Sequence, residues 1–215
     1  MRHIPRRCSR HSRNGVAGYK FDPAKMARLD DPARLEQLRP DLMWRAIGDP
    51  QPAVIVEVGA GTGLMAEAFA GLAPGSVVYA ADTEPAMLEW IGRVRAELVA
   101  QGRIVPVLAS ETHVPLPDGV ADVVAMVNLH HELDDPDATY RDAVRMLAPG
   151  GRLLVADWAK RETPNGPPVQ IRATASEIES LMAAVGLTDI AHHEGLEQHA
   201  LITARKPLDP GALPA

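Results

Sequence analysis

"VIVEVGAGTGLMAEAF", Val54 to Phe69, is an apolar run that ends in three glycines spaced two apart and passes at once into a helix-like pattern. The wider run "PAVIVEVGA" is short and almost continuously apolar, as in a strand buried on both faces of a parallel sheet. Small residues at Gly59, Ala60, Gly61 and Gly63 let backbone approach a ligand closely, and the helix that follows presents free N–H groups with partial positive charge. A tight turn without a ligand has the same pattern, so the stretch takes its meaning from the rest of the chain.

Downstream, helices and strands alternate. A helix from about Gly63 to Leu72 leads to a strand "SVVYAAD", a helix "EPAMLEWIGRVRAELVA", a strand "RIVPVLAS", a strand "ADVVAMVN", a helix "PDATYRDAVRMLA" and a strand "GRLLVADW". This order predicts an α/β fold, Rossmann-like, with a mostly parallel sheet, helices on both faces and right-handed crossovers. The segment "ETHVPLPDGV" has room for little more than a loop, so one crossover is abbreviated. Thr174 to Glu177, "TASE", has the spacing of a capping box, and Gly186 suits the close of the same helix. "LTDIAHHEG" and "QHALITARK" then predict an antiparallel C-terminal hairpin at the sheet edge. Before the glycine turn, "FDPAKMARLDDPARLEQLRPDLMWRAIG" reads as short helices interrupted by Pro32 and Pro40.

The 215 residues, 46% hydrophobic and 23% charged, suit one compact domain that needs no disulfide or metal staple. We divide the chain into a basic leader (1–20), a helical segment or lid (21–50), a ligand-binding domain (51–206) and a frayed tail (207–215). The leader holds six Arg or Lys residues and no acid, which suits either a solvated arm or one that orders over an anionic ligand or surface. A single cysteine, Cys8, excludes an internal disulfide framework and fits a reducing cytoplasm. No apolar run approaches the roughly 20 residues of a membrane span. The net charge of −6 argues against a large nucleic-acid footprint. We expect no metal site, since His3, Cys8 and His11 lack a fourth ligand, and a monomer or homodimer.

Two acids sharpen the reading of the glycine turn. Asp82 ends the second strand at a spacing that suits hydrogen bonds to ribose hydroxyls. Glu57 interrupts an apolar strand, and a buried carboxyl needs a partner to justify its desolvation. Together "VEVGAGTG", Asp82 and "RMLAPGGRLLVADW" resemble the class I S-adenosylmethionine-dependent methyltransferases over roughly Pro52 to Lys206. The resemblance implies a seven-stranded sheet ending in an antiparallel hairpin, S-adenosyl-L-methionine as methyl donor with S-adenosyl-L-homocysteine as product, and a small-molecule acceptor. It is strongest toward the small-molecule branch that includes the quinone-biosynthesis methyltransferases, whose leucine-histidine-rich segment "NLHHELDD" matches.

By that resemblance Glu57, Gly59, Ala60, Gly61, Gly63, Asp82 and Thr83 are cofactor residues, Ser110 and Glu111 lie near the adenine, and Asn128 and Leu129 contact the donor from after the fourth strand. His130 and His131 are candidate general bases, since imidazole titrates near neutrality. Neighbours in extended chain point opposite ways, so one faces the site, with His131 favoured. Asp157 at the end of the fifth strand orients an amine or accepts a proton; an ion pair with Lys160 or Arg161 is its plainer role. Trp158 walls an acceptor pocket or simply packs. "AKRETPNGPPVQIR" reads as a substrate-side loop that, with Tyr19, Lys25 and Arg28, forms a lid. His192, His193 and His199 read as solvated, and Met65, Met87 and Trp90 as core.

Two rivals remain open. A nicotinamide-dependent oxidoreductase is compatible with "GTGLMA" as G-x-G-x-x-A, but that register leaves Gly59 unexplained, and starting at Gly59 puts Leu64 where a small residue is needed. A non-catalytic cofactor-binding or interaction module on the same fold is the other.

Overall fold

The computed structural model describes residues 26–48 and 50–208; the whole leader with Tyr19, the start of the helical segment with Lys25, and the end of the tail lie outside them. Three short helices come first, α1 (Met26–Leu29), α2 (Ala33–Leu38) and α3 (Pro40–Ala46). Pro32 precedes α2 and Pro40 opens α3, where a missing N–H loses no intrahelical bond.

The alternating part follows as β1 (Val54–Val58), α4 (Leu64–Leu72), β2 (Val77–Asp82), α5 (Pro85–Val94), α6 (Ala96–Ala100), β3 (Ile104–Leu108), β4 (Ala121–Val127), α7 (Pro136–Met146), β5 (Leu147–Trp158), α8 (Ala175–Ala184), β6 (Thr188–His193) and β7 (His199–Arg205). The seven strands lie in the order β3-β2-β1-β4-β5-β7-β6. Strands β1 to β5 pair in parallel, whereas β7 is antiparallel to both β5 and β6. The terminal hairpin is therefore present, but its second strand fills the interior position beside β5 and only β6 forms the edge.

Each face of the sheet buries its own apolar layer. On one side Leu38, Trp44, Phe69 and Ile91 pack on Ile55, Val78 and Leu154; on the other Tyr140, Met146, Ile178 and Met182 pack on Val56, Val124 and Val155. Truncation of a side chain as enclosed as Phe69 costs about 3–5 kcal/mol. The abbreviated crossover holds no helix, and Val114 fills the space a helix would cover.

Local differences from the sequence reading have identifiable causes. The helix expected over 84–100 breaks at Arg95, whose buried guanidinium pairs with Asp30 at 2.6 Å and Glu67 at 3.2 Å. Helix α7 stops at Met146, two residues early, where Lys206 Nζ donates to the carbonyls of Val144 (2.7 Å) and Leu147 (2.6 Å). The capping box at Thr174 and Glu177 forms as read.

Candidate functional site

Strand β1 pairs with β2 on one side and β4 on the other, so chains leaving its carboxyl end diverge and open a crevice. A cavity of about 500 Å³ occupies that point. Gly59 sits at φ +73°, a conformation that favours glycine, and a Cβ there would fall 2.6 Å from Leu129 Cδ1 and push that side chain aside. The N–H groups of Gly59 and Ala60 donate to Ala81 O at 2.9 Å. Asp82 holds the loop from the other side, accepting from Gly61 N–H at 2.7 Å and Glu84 N–H at 2.9 Å. Burial raises the Asp82 pKa, partly countered by those N–H groups.

Glu57 is 2% exposed. Burial, and then the neighbouring Asp82 charge, push its pKa up to about 8, with Arg95 acting in the opposite sense. Among the described residues its Oε2 has no hydrogen-bond partner, and neither does the buried Oδ1 of Asn128. Asn128 adopts φ +56°, an uncommon conformation for a residue with a side chain. Gly61, Thr83, Ser110, Glu111, Asn128 and Leu129 all line the cavity. Ser110 Oγ donates to His113 O at 3.3 Å. Gly63 stands just behind, where a Cβ would meet Ile91 at 2.9 Å.

The two histidines do separate, but on a single 3-10 turn, His130–Glu132, and not in the extended chain the sequence reading assumed. His131 reaches the cavity, with Nδ1 2.9 Å from Asp157 Oδ1 and Nε2 3.6 Å from Glu132 Oε1. A carboxylate only accepts, so an ionised Asp157 fixes the hydrogen on Nδ1 and leaves Nε2 as the basic nitrogen. His130 turns the other way, with Nδ1 3.0 Å from Tyr140 Oη, and burial lowers its pKa. Asp157 pairs with neither Lys160 nor Arg161: Lys160 meets Glu177, Arg161 donates to Glu197 O, and Asp157 Oδ1 also accepts the Trp158 N–H.

Trp158 lines the cavity against His199, ring centroids 4.4 Å apart. The reading of His199 as solvated is corrected: it is 5% exposed, and burial lowers its pKa to about 4. It opposes Trp158 across β5 and β7, so both point into one layer. His192 is exposed beside Glu179, and His193 is half-buried on Thr203. Trp90 is half-buried, its Nε1 donating to Asp30 Oδ2 at 3.2 Å, whereas Met65 and Met87 are buried.

Arg28 lines the cavity as read, but α1, α2 and the turn between them also contribute Leu29, Asp31, Arg34 and Gln37. Arg34 and Gln37 are three residues apart on α2, a spacing that marks one helical face. Arg172 was missed as well. Its guanidinium donates to the carbonyls of Pro167, Ala159 and Arg161 and to Thr163 Oγ1, so it folds loop 159–172 around itself.

Residues 56–155 match the family described as "Methyltransferase domain". A demethylmenaquinone methyltransferase from Thermus thermophilus is 34% identical over 137 residues, 61% of this chain and 61% of that protein. A ubiquinone/menaquinone biosynthesis C-methyltransferase from Cupriavidus pinatubonensis is 32% identical over 108 residues, 49% of this chain and 43% of that protein. The chain thus matches less than two thirds of the length of these relatives. A crystal structure of an S-adenosylmethionine-dependent methyltransferase from Aquifex aeolicus superposes with a TM-score of 0.78 at 26% identity, covering 86% of this chain and 99% of that one. Sheet order, cavity and matched family liken the chain to the class I S-adenosylmethionine-dependent methyltransferases. Within that class the chain resembles the quinone-biosynthesis enzymes.

Proposed function

We propose that this chain transfers a methyl group from S-adenosyl-L-methionine to a small-molecule acceptor. The observation that carries the reading is that one cavity joins the glycine loop and Asp82 to the His131–Asp157 pair. The donor-side residues fit the cofactor: Asp82 supplies a carboxylate for ribose hydroxyls, and Glu57 and Asn128 each turn an unpartnered buried acceptor atom toward this end of the sheet. When bound, S-adenosyl-L-methionine supplies a methyl group on a sulfonium, open to in-line displacement with S-adenosyl-L-homocysteine as product.

The remaining work falls to the chain itself. Ser110, Glu111 and Thr83 border the adenosine, and Leu129 closes the glycine loop. Trp158, Arg28 and loop 159–172 wall the acceptor side and keep water out. Held at near-attack distance, an acceptor gains about 7–11 kcal/mol of barrier reduction from positioning alone. His131 Nε2 takes the proton of a protonated acceptor, and the carboxylates of Asp157 and Glu132 on either side stabilise the imidazolium formed. His130 belongs to the structural side of this assignment. A monomer or homodimer acting without nucleic acid, in a cytoplasmic setting, completes the proposal.

Calorimetric titration of the wild type and Asp82→Ala with S-adenosylmethionine, S-adenosylhomocysteine and NAD tests the reading. Both adenosyl ligands should bind wild type and weaken roughly 10- to 100-fold in the variant, the loss expected for hydrogen bonds to a charged group. Tight NAD binding without a response to either adenosyl ligand would sink it and favour the oxidoreductase. With an acceptor in hand, His131→Ala should slow single-turnover methylation by about 10²–10⁴; an unchanged rate removes the base.

A further inference from the structure

We propose that Asp142 and Arg145 of α7 are positioning residues that set the enzyme's selectivity for its nucleobase, by holding the loop between β3 and β4 that carries Ser110 and Glu111. The assignment rests on the cofactor reading above, in which those two residues border the adenosine, and extends it to a helix face outside the cavity, which neither Asp142 nor Arg145 lines.

The crossover from β3 to β4 lacks the helix that each other parallel crossover carries. Backbone that joins no helix or sheet ladder needs other partners for its N–H and C=O groups, and a segment with few such bonds opens at little cost. Here α7 supplies the partners. Asp142 accepts from the Val114 N–H at 2.8 Å and meets His113 Nδ1 at 2.8 Å. Arg145 donates to the carbonyls of Val114 at 2.8 Å and Leu116 at 2.6 Å, and its own carbonyl accepts from the Gly119 N–H at 2.9 Å. The pair is locked together by Arg145 Nε, which donates to Asp142 Oδ1 at 2.8 Å.

This strap reaches the cavity through His113. The His113 carbonyl accepts from the Ser110 N–H at 2.9 Å and from Ser110 Oγ at 3.3 Å, closing a short turn whose near side, Ala109, Ser110 and Glu111, lines the cavity. One residue thus ties the cavity-facing turn to a buried carboxylate of α7. Hydrogen bonds weaken steeply when misaligned. Freedom in this turn therefore blurs the reading of a base edge, while Asp82 and the glycine loop, held by β1 and β2, keep their places.

Titrations with S-adenosylhomocysteine and S-inosylhomocysteine, which carries an oxygen in place of the adenine amino group, test the assignment on wild type, Asp142→Asn, Arg145→Lys and His113→Ala. Wild type should favour the adenine ligand by roughly tenfold, and Asp142→Asn and Arg145→Lys should cut that preference to about threefold or less. The His113 side chain is 56% exposed, so His113→Ala leaves the core intact and carries the same test should Asp142→Asn not fold. A purely structural role for the pair lowers Tm and leaves the ratio of affinities as in wild type. An unchanged ratio in the folded variants, or a wild type that binds the two ligands equally, overturns the assignment. Failure of wild type to bind either ligand defeats the cofactor reading itself.

Discussion

Glu57 is the charged residue of β1, enclosed by apolar neighbours in a five-residue strand. Its raised pKa sets a stability trend that can be separated from others. The unfolded carboxyl ionises near 4.5 while the folded one holds its proton until about 8, so between those values the native state binds more protons and stability falls as pH rises. Buried His130 and His199 act in the opposite sense, because the unfolded imidazoles gain protons below 6.5 and the folded ones resist. That contribution ends near pH 6.5 and leaves the interval up to about 8 to the buried acids. Ligand-free wild type should lose up to about 1.4 kcal/mol per pH unit there, and Glu57→Gln should flatten the slope. Denaturant melts at a series of pH values read this directly, and an identical slope in both proteins would contradict a protonated Glu57. The sequence marked this residue because a carboxyl in an apolar run is conspicuous. It gave no such signal for Arg34, an ordinary arginine in a charged helix that lines the cavity only once the N-terminal helices pack over it.

At the scale of elements, loop 159–172 converts an irregular stretch into a wall of the cavity. Its regularity comes from one buried cation: Arg172 gathers carbonyls at both ends of the loop and lies 5.4 Å from the centre of the Trp158 ring. Gly166 rests on the same indole, at φ +111°, where a Cβ would stand 2.7 Å from Trp158 Cε3. Both the conformation and the close approach exclude a side chain. Gly166→Ala should therefore displace the loop without touching the core, raising the KM for the acceptor while S-adenosylhomocysteine affinity stays within about twofold, since uniform loss of acceptor binding appears in KM. A loss of cofactor affinity as large as the loss of acceptor affinity would place the loop on the donor side. Composition singled out this segment as a candidate substrate-side loop because it is long and rich in proline and glycine. The histidine under its tryptophan was misread, although the two-residue period linking His199 to Leu201 and Thr203 pointed it inward.

For the whole molecule, the mostly parallel character of the sheet was legible from alternation because each parallel crossover needs a helix or long connection, and the missing helix showed as a short loop. What local pattern cannot supply is the tie between distant elements. Asp30 meets Arg95 at 2.6 Å across 65 positions and joins the N-terminal helices to the break between α5 and α6. A ligand seated between the helical segment and the sheet binds a surface that exists only when both are folded. Binding to the native state alone should then stabilise the whole chain as one unit, by about 2.7 kcal/mol at a hundredfold excess over Kd. For a chain of this size that corresponds to a rise in Tm of roughly 5–11 °C. S-adenosylhomocysteine should produce it in a single transition followed by tryptophan fluorescence, since Trp44, Trp90 and Trp158 report from the helical segment, α5 and the cavity wall. NAD at equal concentration should leave Tm unchanged. Two transitions, with only the later one moved by ligand, would show that the N-terminal helices melt apart from the site and take no share in holding the cofactor.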